Sequence, residues 1–199
     1  MATDFAARRA TSDDVEVVTE IITLAFAADP LWSHAMRRPD GRIDHHAVFW
    51  RLYVEGALRY PWTWLADDGA AASIWIPVDG TELNEEQETR LDALVDEYLA
   101  PIAADYRELL ARFEAARPRE PHYYLTLLAT HPAYRGKGIG MRLLGHVLEM
   151  IDAEHMPAYL ESTNPANDDR YRGVGFEPIG SFSYPGNGPI VTTMWRPAR

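Results

Sequence analysis

Three glycines and two basic side chains share one six-residue segment of the chain. Residues 135–140 read Arg-Gly-Lys-Gly-Ile-Gly and Arg142 follows, so 135–142 holds three positive charges and no acid. The segment lies before a helix-like run, and the first turn of a helix has backbone N–H groups without intrahelical partners. Glycines let an anion approach those groups, and the helix dipole adds roughly 0.3 to 1 kcal/mol. The pattern predicts a phosphate-binding turn, although spacing alone leaves a solvated surface connection open.

Other catalytic motifs have less support. Lys137 is followed by Gly138 rather than Ser or Thr, which disfavours a P-loop. Met141 or Leu143 stands where a dinucleotide fingerprint needs its third glycine. No serine lies in a G-x-S-x-G elbow, and the chain has no cysteine, which removes thiol catalysis, disulfides and zinc-thiolate sites.

Histidines offer the remaining metal-ligand chemistry, and their spacing does not favour it. His45 and His46 are adjacent rather than four residues apart. We therefore expect no metal site. We expect ordinary surface or capping roles for the histidines of this group, which are His45, His46, His122, His131, His146 and His155.

The glycine turn requires a strand before it and a helix after it, and the sequence supplies both. Residues 123–129 form a dense apolar run typical of a buried strand. After the turn, apolar residues at i, i+3, i+4, i+7 and i+8 indicate the buried face of a helix, namely Leu143, Leu144, Val147, Leu148 and Ile151. Downstream we expect an extended run over 158–162, a short helix over 168–172, and closing strands over 176–183 and 189–195.

The first part of the chain alternates the same two element types. We expect a strand over 5–10 and a helix after capping side chains at 11–14, which is broken at Asp29-Pro30. Helical segments follow over 31–36 and 44–58. Strands over 62–66 and 71–76 flank Asp67-Asp68-Gly69, a turn sequence that predicts a hairpin. Helices over 82–99 and 106–116 resemble an insertion before the 123–129 strand.

Length and composition bound the class of protein. A chain of 199 residues with 47% hydrophobic and 25% charged residues predicts one globular domain, 1–199. A formal net charge of -11 disfavours a general nucleic-acid binder and favours a cationic partner. No window approaches a membrane span, and residues 1–5 do not begin a secretory signal, so we expect no membrane association and a cytoplasmic location. The sequence leaves open whether the protein forms a homodimer.

The spacing Arg135-x-x-Gly138-x-Gly140 resembles the R/Q-x-x-G-x-G/A pyrophosphate loop of the GNAT superfamily of N-acetyltransferases, which bind acetyl-CoA. Asn164, with Tyr171 seven residues later, resembles the second signature of the superfamily. The likeness extends over most of the chain to puromycin N-acetyltransferase and its relatives, through 64–71, 117–121, 160–162, Asn167 with Tyr171, and 188–197. It implies an α/β (α+β) domain with a mixed, mostly antiparallel sheet, flanking helices and splayed central strands.

The resemblance also implies which residues hold acetyl-CoA. The backbone of 128–130 would run beside the pantetheine arm on a bulged strand, and the N–H groups of 136–141 would hold the pyrophosphate. The implied cofactor-binding residues are Leu128, Ala129, Thr130, Arg135, Gly136, Lys137, Gly138, Ile139, Gly140, Met141, Asn164 and Asn167.

Direct acetyl transfer to an amine requires a neutral amine, a backbone N–H for the developing oxyanion, near Leu128, and a proton donor for the departing thiolate. By the resemblance, Tyr171 is the candidate donor, and a core aromatic beside Gly175-Phe176 is the alternative. Glu161 and Tyr124 are candidates for handling the amine's proton, and both could equally be packed or hydrogen-bonded residues. The Thr126 side chain is expected to point the same way from the strand as that of Tyr124. Some relatives have His at these two positions and this chain does not, so the sequence assigns no single dedicated base.

Four residues with aromatic rings near the amino terminus could border the acceptor, namely Trp32, His34, Trp50 and Tyr53. Packing in the core is the more frequent role of such residues. The sequence therefore predicts an acetyl-CoA-dependent N-acetyltransferase that acts on the amine of a small molecule. Two alternatives are a protein or peptide N-acetyltransferase and a catalytically silent acyl-CoA-binding sensor or interaction protein.

Overall fold

The computed structural model describes residues 5–66 and 69–199, and in that part of the chain seven strands and seven helices are present. The strands are β1 (Ala7–Arg9), β2 (Thr63–Ala66), β3 (Ala71–Ile76), β4 (Tyr123–Thr130), β5 (Ala158–Ser162), β6 (Glu177–Ser183) and β7 (Ile190–Arg196). The helices are α1 (Val15–Phe26), α2 (Pro30–Ala35), α3 (His46–Ala57), α4 (Glu85–Tyr98), α5 (Ala103–Ala116), α6 (Ile139–Ala153) and α7 (Asp168–Arg172).

The strands form one mixed sheet in the order β1-β2-β3-β4-β5-β7-β6. Neighbouring strands are antiparallel except β4 and β5, which are parallel. This parallel pairing ends at Leu125 and Leu160, whereas β4 continues to Thr130 and β5 to Ser162. The two central strands therefore separate beyond that point, as the resemblance implies.

A bulge in β4 lies where the central strands separate. Trp75 of β3 pairs with Leu125 and Ile74 pairs with Leu127, which leaves Thr126 as the extra residue. A bulge bends its strand and redirects a side chain. The bulge that the resemblance implies is thus present, and it changes the direction of β4 at the start of the splay.

Side chains alternate across the sheet and fill two apolar layers. On one face Leu125 and Leu160 pack with the periodic apolar side of α6. On the other face Tyr124, Leu127 and Tyr159 pack with residues from α1 to α5. The predicted period of α6 is confirmed, because the five residues at that spacing are buried.

Short-range capping sets several helix boundaries. The Asp29 carboxylate accepts hydrogen bonds from the backbone N–H groups of Leu31, at 3.0 Å, and Trp32, at 3.1 Å, so α2 begins at Pro30. Asn84 and Gln87 form a capping box, so α4 begins at Glu85 rather than at residue 82.

The predicted elements are present with small differences at their ends. Helix α5 begins at Ala103, three residues before the predicted start. The hairpin is confirmed by the pairing of Ala66 with Ala71, whereas Asp67 and Asp68 of its turn lie outside the described residues. Among the described helices, none is both long and apolar enough to cross a membrane.

The prediction of surface or capping histidines is wrong for one pair. His45 and His46 are each 1% exposed, and their rings lie 4.6 Å apart. His45 precedes α3, but its side chain does not cap the helix; its Nε2 lies 2.8 Å from the Met36 carbonyl oxygen. The side chains pack inward because aromatic partners enclose them: the His45 ring meets Phe49 at 6.1 Å and stacks on Tyr98 of α4 at 5.8 Å. His131 does cap, since its Nδ1 accepts from the Ala133 N–H at 3.2 Å.

Candidate functional site

A cleft of about 1150 Å³ opens where β4 and β5 separate. Its walls come from the end of α1, the start of α2, the bulged part of β4, the first turn of α6, the end of β5, and α7. One end lies at the glycine turn, and the other lies between the sheet and helices α3 to α5. The sequence elements that predict chemistry thus meet in one cavity.

The glycine turn has the backbone that an anion site needs. Gly138, which precedes α6, has φ 72°, and Gly136 has φ 80°. Both lie in the left-handed region of backbone conformation, which residues with a Cβ rarely adopt. No side chain caps α6, so the N–H groups of its first turn are left for another partner. A Cβ on Gly140 would lie 2.5 Å from the Thr130 Oγ1, so glycine also allows α6 to approach β4 closely.

The predicted cofactor-binding residues line the cleft, with the exception of Lys137. The lining members of that set are Leu128, Ala129, Thr130, Arg135, Gly136, Gly138, Ile139, Gly140, Met141, Asn164 and Asn167. The Lys137 ammonium lies 5.2 Å from the centroid of the Tyr134 ring, so its position fits a long-range attraction for an anion rather than a wall of the cleft.

Three of these residues also make hydrogen bonds within the protein. Arg135 donates to the Ala25 carbonyl oxygen at 3.0 Å and thereby ties the glycine turn to α1. The Asn164 side chain accepts from the Ala166 N–H at 3.1 Å, and Asn167 accepts from Arg170 at 2.9 Å. Arg170, which sequence reasoning missed, adds a positive charge to this wall.

Tyr171 lies at the boundary between the cleft and the apolar core. It lines the cleft from α7, and its ring meets Phe176 edge to face at 6.3 Å. Burial, helped by the nearby Asp29 and Asp168 carboxylates, raises the pKa of the Tyr171 hydroxyl to about 12. Tyr171 therefore keeps its proton at neutral pH.

Glu161 lies on β5 one residue beyond the last β4–β5 pair, at the opening between the strands. Its Oε1 is buried, and no described residue hydrogen-bonds it. Burial raises the pKa of the Glu161 carboxyl to about 8, against the opposing effects of the Tyr124 hydroxyl and the Arg117 charge. The carboxyl can thus change its charge near neutral pH.

Tyr124 and Tyr159 are paired across the two strands beside Glu161, with their rings 5.8 Å apart. Burial, together with the nearby Glu161 and Glu82 carboxylates, raises the pKa of Tyr124 well above its usual value. Tyr124 therefore stays protonated at neutral pH, which favours hydrogen-bond donation to Glu161 over the role of a base.

Sequence reasoning missed the role of a charged pair at this end of the cleft. Arg117 donates to the Glu82 carboxylate at 2.7 Å, and the Arg117 guanidinium carbon lies 4.2 Å from the centroid of the Tyr124 ring. Thr126, the bulge residue, donates to the other Glu82 oxygen. Glu82 reads in the sequence as the start of a solvated acidic helix, and no local signal separates it from its neighbours.

Asp29 is a second residue that sequence reasoning missed. Besides capping α2, its carboxylate accepts from the Thr163 Oγ1 at 2.9 Å and so joins α2 to the residue after β5. Asp29 lines the cleft and is 9% exposed. Burial raises its pKa, against the hydrogen bonds from the backbone.

Three of the four predicted acceptor-pocket aromatics line the cleft, namely Trp32, Trp50 and Tyr53. Trp32 packs edge to face on Trp50 at 5.1 Å and stacks on Phe113 at 5.7 Å, so these rings serve both core and wall. The fourth, His34, packs on Tyr184 at 4.6 Å outside the lining. Among the described residues, no group of three or more His, Asp or Glu side chains has the arrangement of a metal site.

Residues 62–176, more than half of the chain, match the model of the Acetyltransferase (GNAT) family. The chain belongs to this family. The matched span contains the glycine turn, Glu161 and Tyr171. GNAT enzymes use acetyl-CoA, so the predicted acetyltransferase class is confirmed at the level of the family.

A curated relative matches part of the sequence. An uncharacterized protein of Mycobacterium leprae is 37% identical over 79 residues, which are 39% of this GNAT chain and 22% of that protein. The match thus covers less than a quarter of the length of this curated relative.

Solved structures similar over their whole length include a Corynebacterium glutamicum protein described as histone acetyltransferase HPA2 and related acetyltransferase, with TM-score 0.70, 23% identity and coverage of 99% of this chain and 98% of that chain. Arylalkylamine N-acetyltransferase 2 of Aedes aegypti has TM-score 0.71, 17% identity and coverage of 99% and 100%. The polyamine N-acetyltransferase of Drosophila melanogaster has TM-score 0.68, 17% identity and coverage of 98% and 100%. At these identities the likeness concerns the fold, and it confirms the predicted fold class.

Proposed function

We propose that this GNAT protein transfers an acetyl group from acetyl-CoA directly to the amine of a small molecule. The observation that carries the proposal is one continuous cleft that joins an uncapped glycine turn to an ionisable carboxyl in the strand splay. At about 1150 Å³ the cleft exceeds the roughly 300 to 1000 Å³ of a typical single-ligand pocket. It has room for two substrates together, as direct transfer requires.

The residues at the glycine end fit the phosphates of acetyl-CoA. The N–H groups of 136–141 provide hydrogen bonds to an anion, and each such bond to a charged oxygen is worth about 1.5 to 3 kcal/mol. The edge of β4 over 128–130 lines the path from there to the splay, and Asn164 lines the facing wall. When bound, acetyl-CoA supplies an acetyl group activated as a thioester.

At the other end, Glu161 can receive the proton that the amine must lose. An alkyl amine has a reference pKa of about 10.4, so most of it is protonated at neutral pH. An ionised Glu161 attracts the ammonium form and accepts its proton, directly or through water. Because the Glu161 pKa is raised to about 8, the reactive, ionised form of the enzyme increases as the pH rises toward that value.

Tyr171 is the donor in this proposal. Its hydroxyl is protonated at neutral pH, since its pKa is about 12, and it lies on the cleft wall. It can therefore give a proton to the sulfur that leaves with coenzyme A. Tyr124 supports the site by donating to Glu161 rather than by taking a proton from the amine.

The charges and rings of the cleft support a cationic small-molecule acceptor with an apolar body. Carboxylates of Glu82, Glu88 and Glu114 line the acceptor end beside Trp50 and Phe113. The sequence likeness to puromycin N-acetyltransferases supports the same class. Two of the structurally similar proteins are named for arylalkylamine and polyamine acetyltransferases.

A panel of acceptors tests this function. Release of the coenzyme A thiol is followed with acetyl-CoA and arylalkylamines, aliphatic polyamines, puromycin-like aminonucleosides and lysine-containing peptides. We expect turnover with at least one small amine and none above background with peptides. Turnover with peptides alone would replace the small-molecule acceptor, and binding of acetyl-CoA without any turnover would favour a sensor.

A further inference from the structure

Two charges of opposite sign line the same cleft as Glu161, and both come from outside the sheet. Arg117 lies in the connection between α5 and β4, and Glu82 lies in the segment before α4. They form an ion pair at 2.7 Å with 22% of each side chain exposed. A pair that is this shielded from water is weakly screened, so its charges act on neighbouring groups.

The positions of both charges are fixed by contacts rather than by the ion pair alone. Thr126 donates to Glu82 from the β4 bulge, and the backbone carbonyl of Glu82 packs against Gly56 of α3, where a Cβ would lie 2.1 Å from the oxygen. Arg117 lies over the Tyr124 ring, with 4.2 Å between the guanidinium carbon and the ring centroid. Tyr124 in turn pairs with Tyr159, two residues before Glu161.

Among the described residues, the side chains with the largest effects on Glu161 belong to this arrangement. Tyr124 approaches from β4, Tyr159 from β5, and Arg117 and Glu82 from the two connections. On the β7 side, the paired residue Thr193 brings no charge. Arg117 favours the ionised carboxyl, and Glu82 disfavours it, because like charges repel.

We propose that Arg117, held in place by Glu82 and the Tyr124 ring, is a positioning residue that increases the ionised fraction of the Glu161 carboxyl when the amine arrives. Glu82 has a double part: it fixes the guanidinium and also opposes the ionisation that Arg117 promotes. The inference rests on the proposed function for its role in turnover, whereas the charge effect itself exists without substrate. The β4 bulge contributes to this arrangement, because its extra residue, Thr126, hydrogen-bonds Glu82.

The test is a carboxyl titration of Glu161 by nuclear magnetic resonance, with ¹³C at the glutamate side-chain carboxyl and assignment by the signal lost in Glu161→Gln. The protein is compared with Arg117→Gln, Glu82→Gln and the double variant. Arg119→Gln is the matched control, because Arg119 is an exposed arginine two residues away. We expect the midpoint to rise by about one pH unit in Arg117→Gln and to fall in Glu82→Gln. The double variant and the control should stay near the parent.

Shifts of opposite sign separate an electrostatic role from a structural one, since loosened packing moves both variants in the same direction. Unchanged midpoints, or shifts of the same sign, would overturn the proposal. The pH profile of kcat/KM is then measured on the same proteins with an acceptor from the panel. The pH at which kcat/KM rises should shift with the titration midpoint of Glu161 in each protein. If the midpoints move oppositely and the pH profile does not follow, the charge role of Arg117 stands and the base role of Glu161 falls.

Discussion

Replacing Gly56 with alanine tests the contact that fixes Glu82. A Cβ at residue 56 would lie 2.1 Å from the Glu82 carbonyl oxygen, and Cβ contacts under 3.0 Å are essentially absent from proteins. One of the two segments must therefore move by about 1 Å, and a backbone oxygen cannot rotate away as a side chain can. Overpacking of this kind costs about 1 to 3 kcal/mol. The higher helix propensity of alanine returns about 1 kcal/mol at most.

We expect Gly56→Ala to lower the free energy of unfolding by up to about 2 kcal/mol. Gly145 provides the matched control, because it is also inside a helix and has no atom within 4 Å of an added Cβ. Gly145→Ala should raise the free energy of unfolding by about 0.5 to 1 kcal/mol. Urea unfolding followed by tryptophan fluorescence measures both variants under the same conditions. Equal stabilisation by the two substitutions would refute the contact between α3 and the segment before α4.

Two further predictions concern protons. Burial lowers the pKa of both His45 and His46, so the unfolded chain binds protons first as the pH falls below about 6.5, and stability falls with it. Glu161 has the opposite effect on stability, because its folded pKa is raised and its protonation favours the folded state. The wild type is therefore compared with the double variant His45→Gln/His46→Gln, which should lose less stability in urea unfolding between pH 7.5 and 5.5. An equal loss would contradict the prediction. For Tyr171→Phe we expect turnover to fall about 100-fold with acetyl-CoA affinity unchanged, as measured by thiol release and calorimetry. Unaltered turnover would show that Tyr171 is not the donor.

Local patterns were sufficient for the elements that carry the site. The apolar period after Gly140 predicted α6, the run over 158–162 coincides with β5, and the run over 168–172 coincides with α7. Each depends on neighbours within a few residues, which is the range over which periodicity and capping act. The glycine spacing likewise predicted the turn, because φ at Gly136 and Gly138 is a local property.

The acceptor end could not be predicted in the same way, because its contacts join distant parts of the chain. Glu82 and Arg117 are separated by 35 residues, and Asp29 and Thr163 by 134. In the sequence, Asp29 reads only as a residue before a proline. The burial of the His45 and His46 rings depends on distant contacts such as the stacking of His45 on Tyr98, which the residues adjacent in sequence do not reveal. Glu161 and Tyr124 were identified by resemblance, whereas their charge states required the tertiary structure.

The most direct measurement is a calorimetric titration with acetyl-CoA of the wild type, Gly138→Ala and Gly186→Ala. Both glycines have left-handed φ, 72° and 71°, and open space around an added Cβ, but only Gly138 lies at the cleft. An alanine in this conformation costs roughly 1 to 2 kcal/mol, about 5- to 30-fold in affinity if binding must restore it. We expect one binding site in the wild type, unchanged binding in Gly186→Ala and about tenfold weaker binding in Gly138→Ala. No heat with the wild type, or equal affinity in all three proteins, would show that the glycine turn does not bind acetyl-CoA.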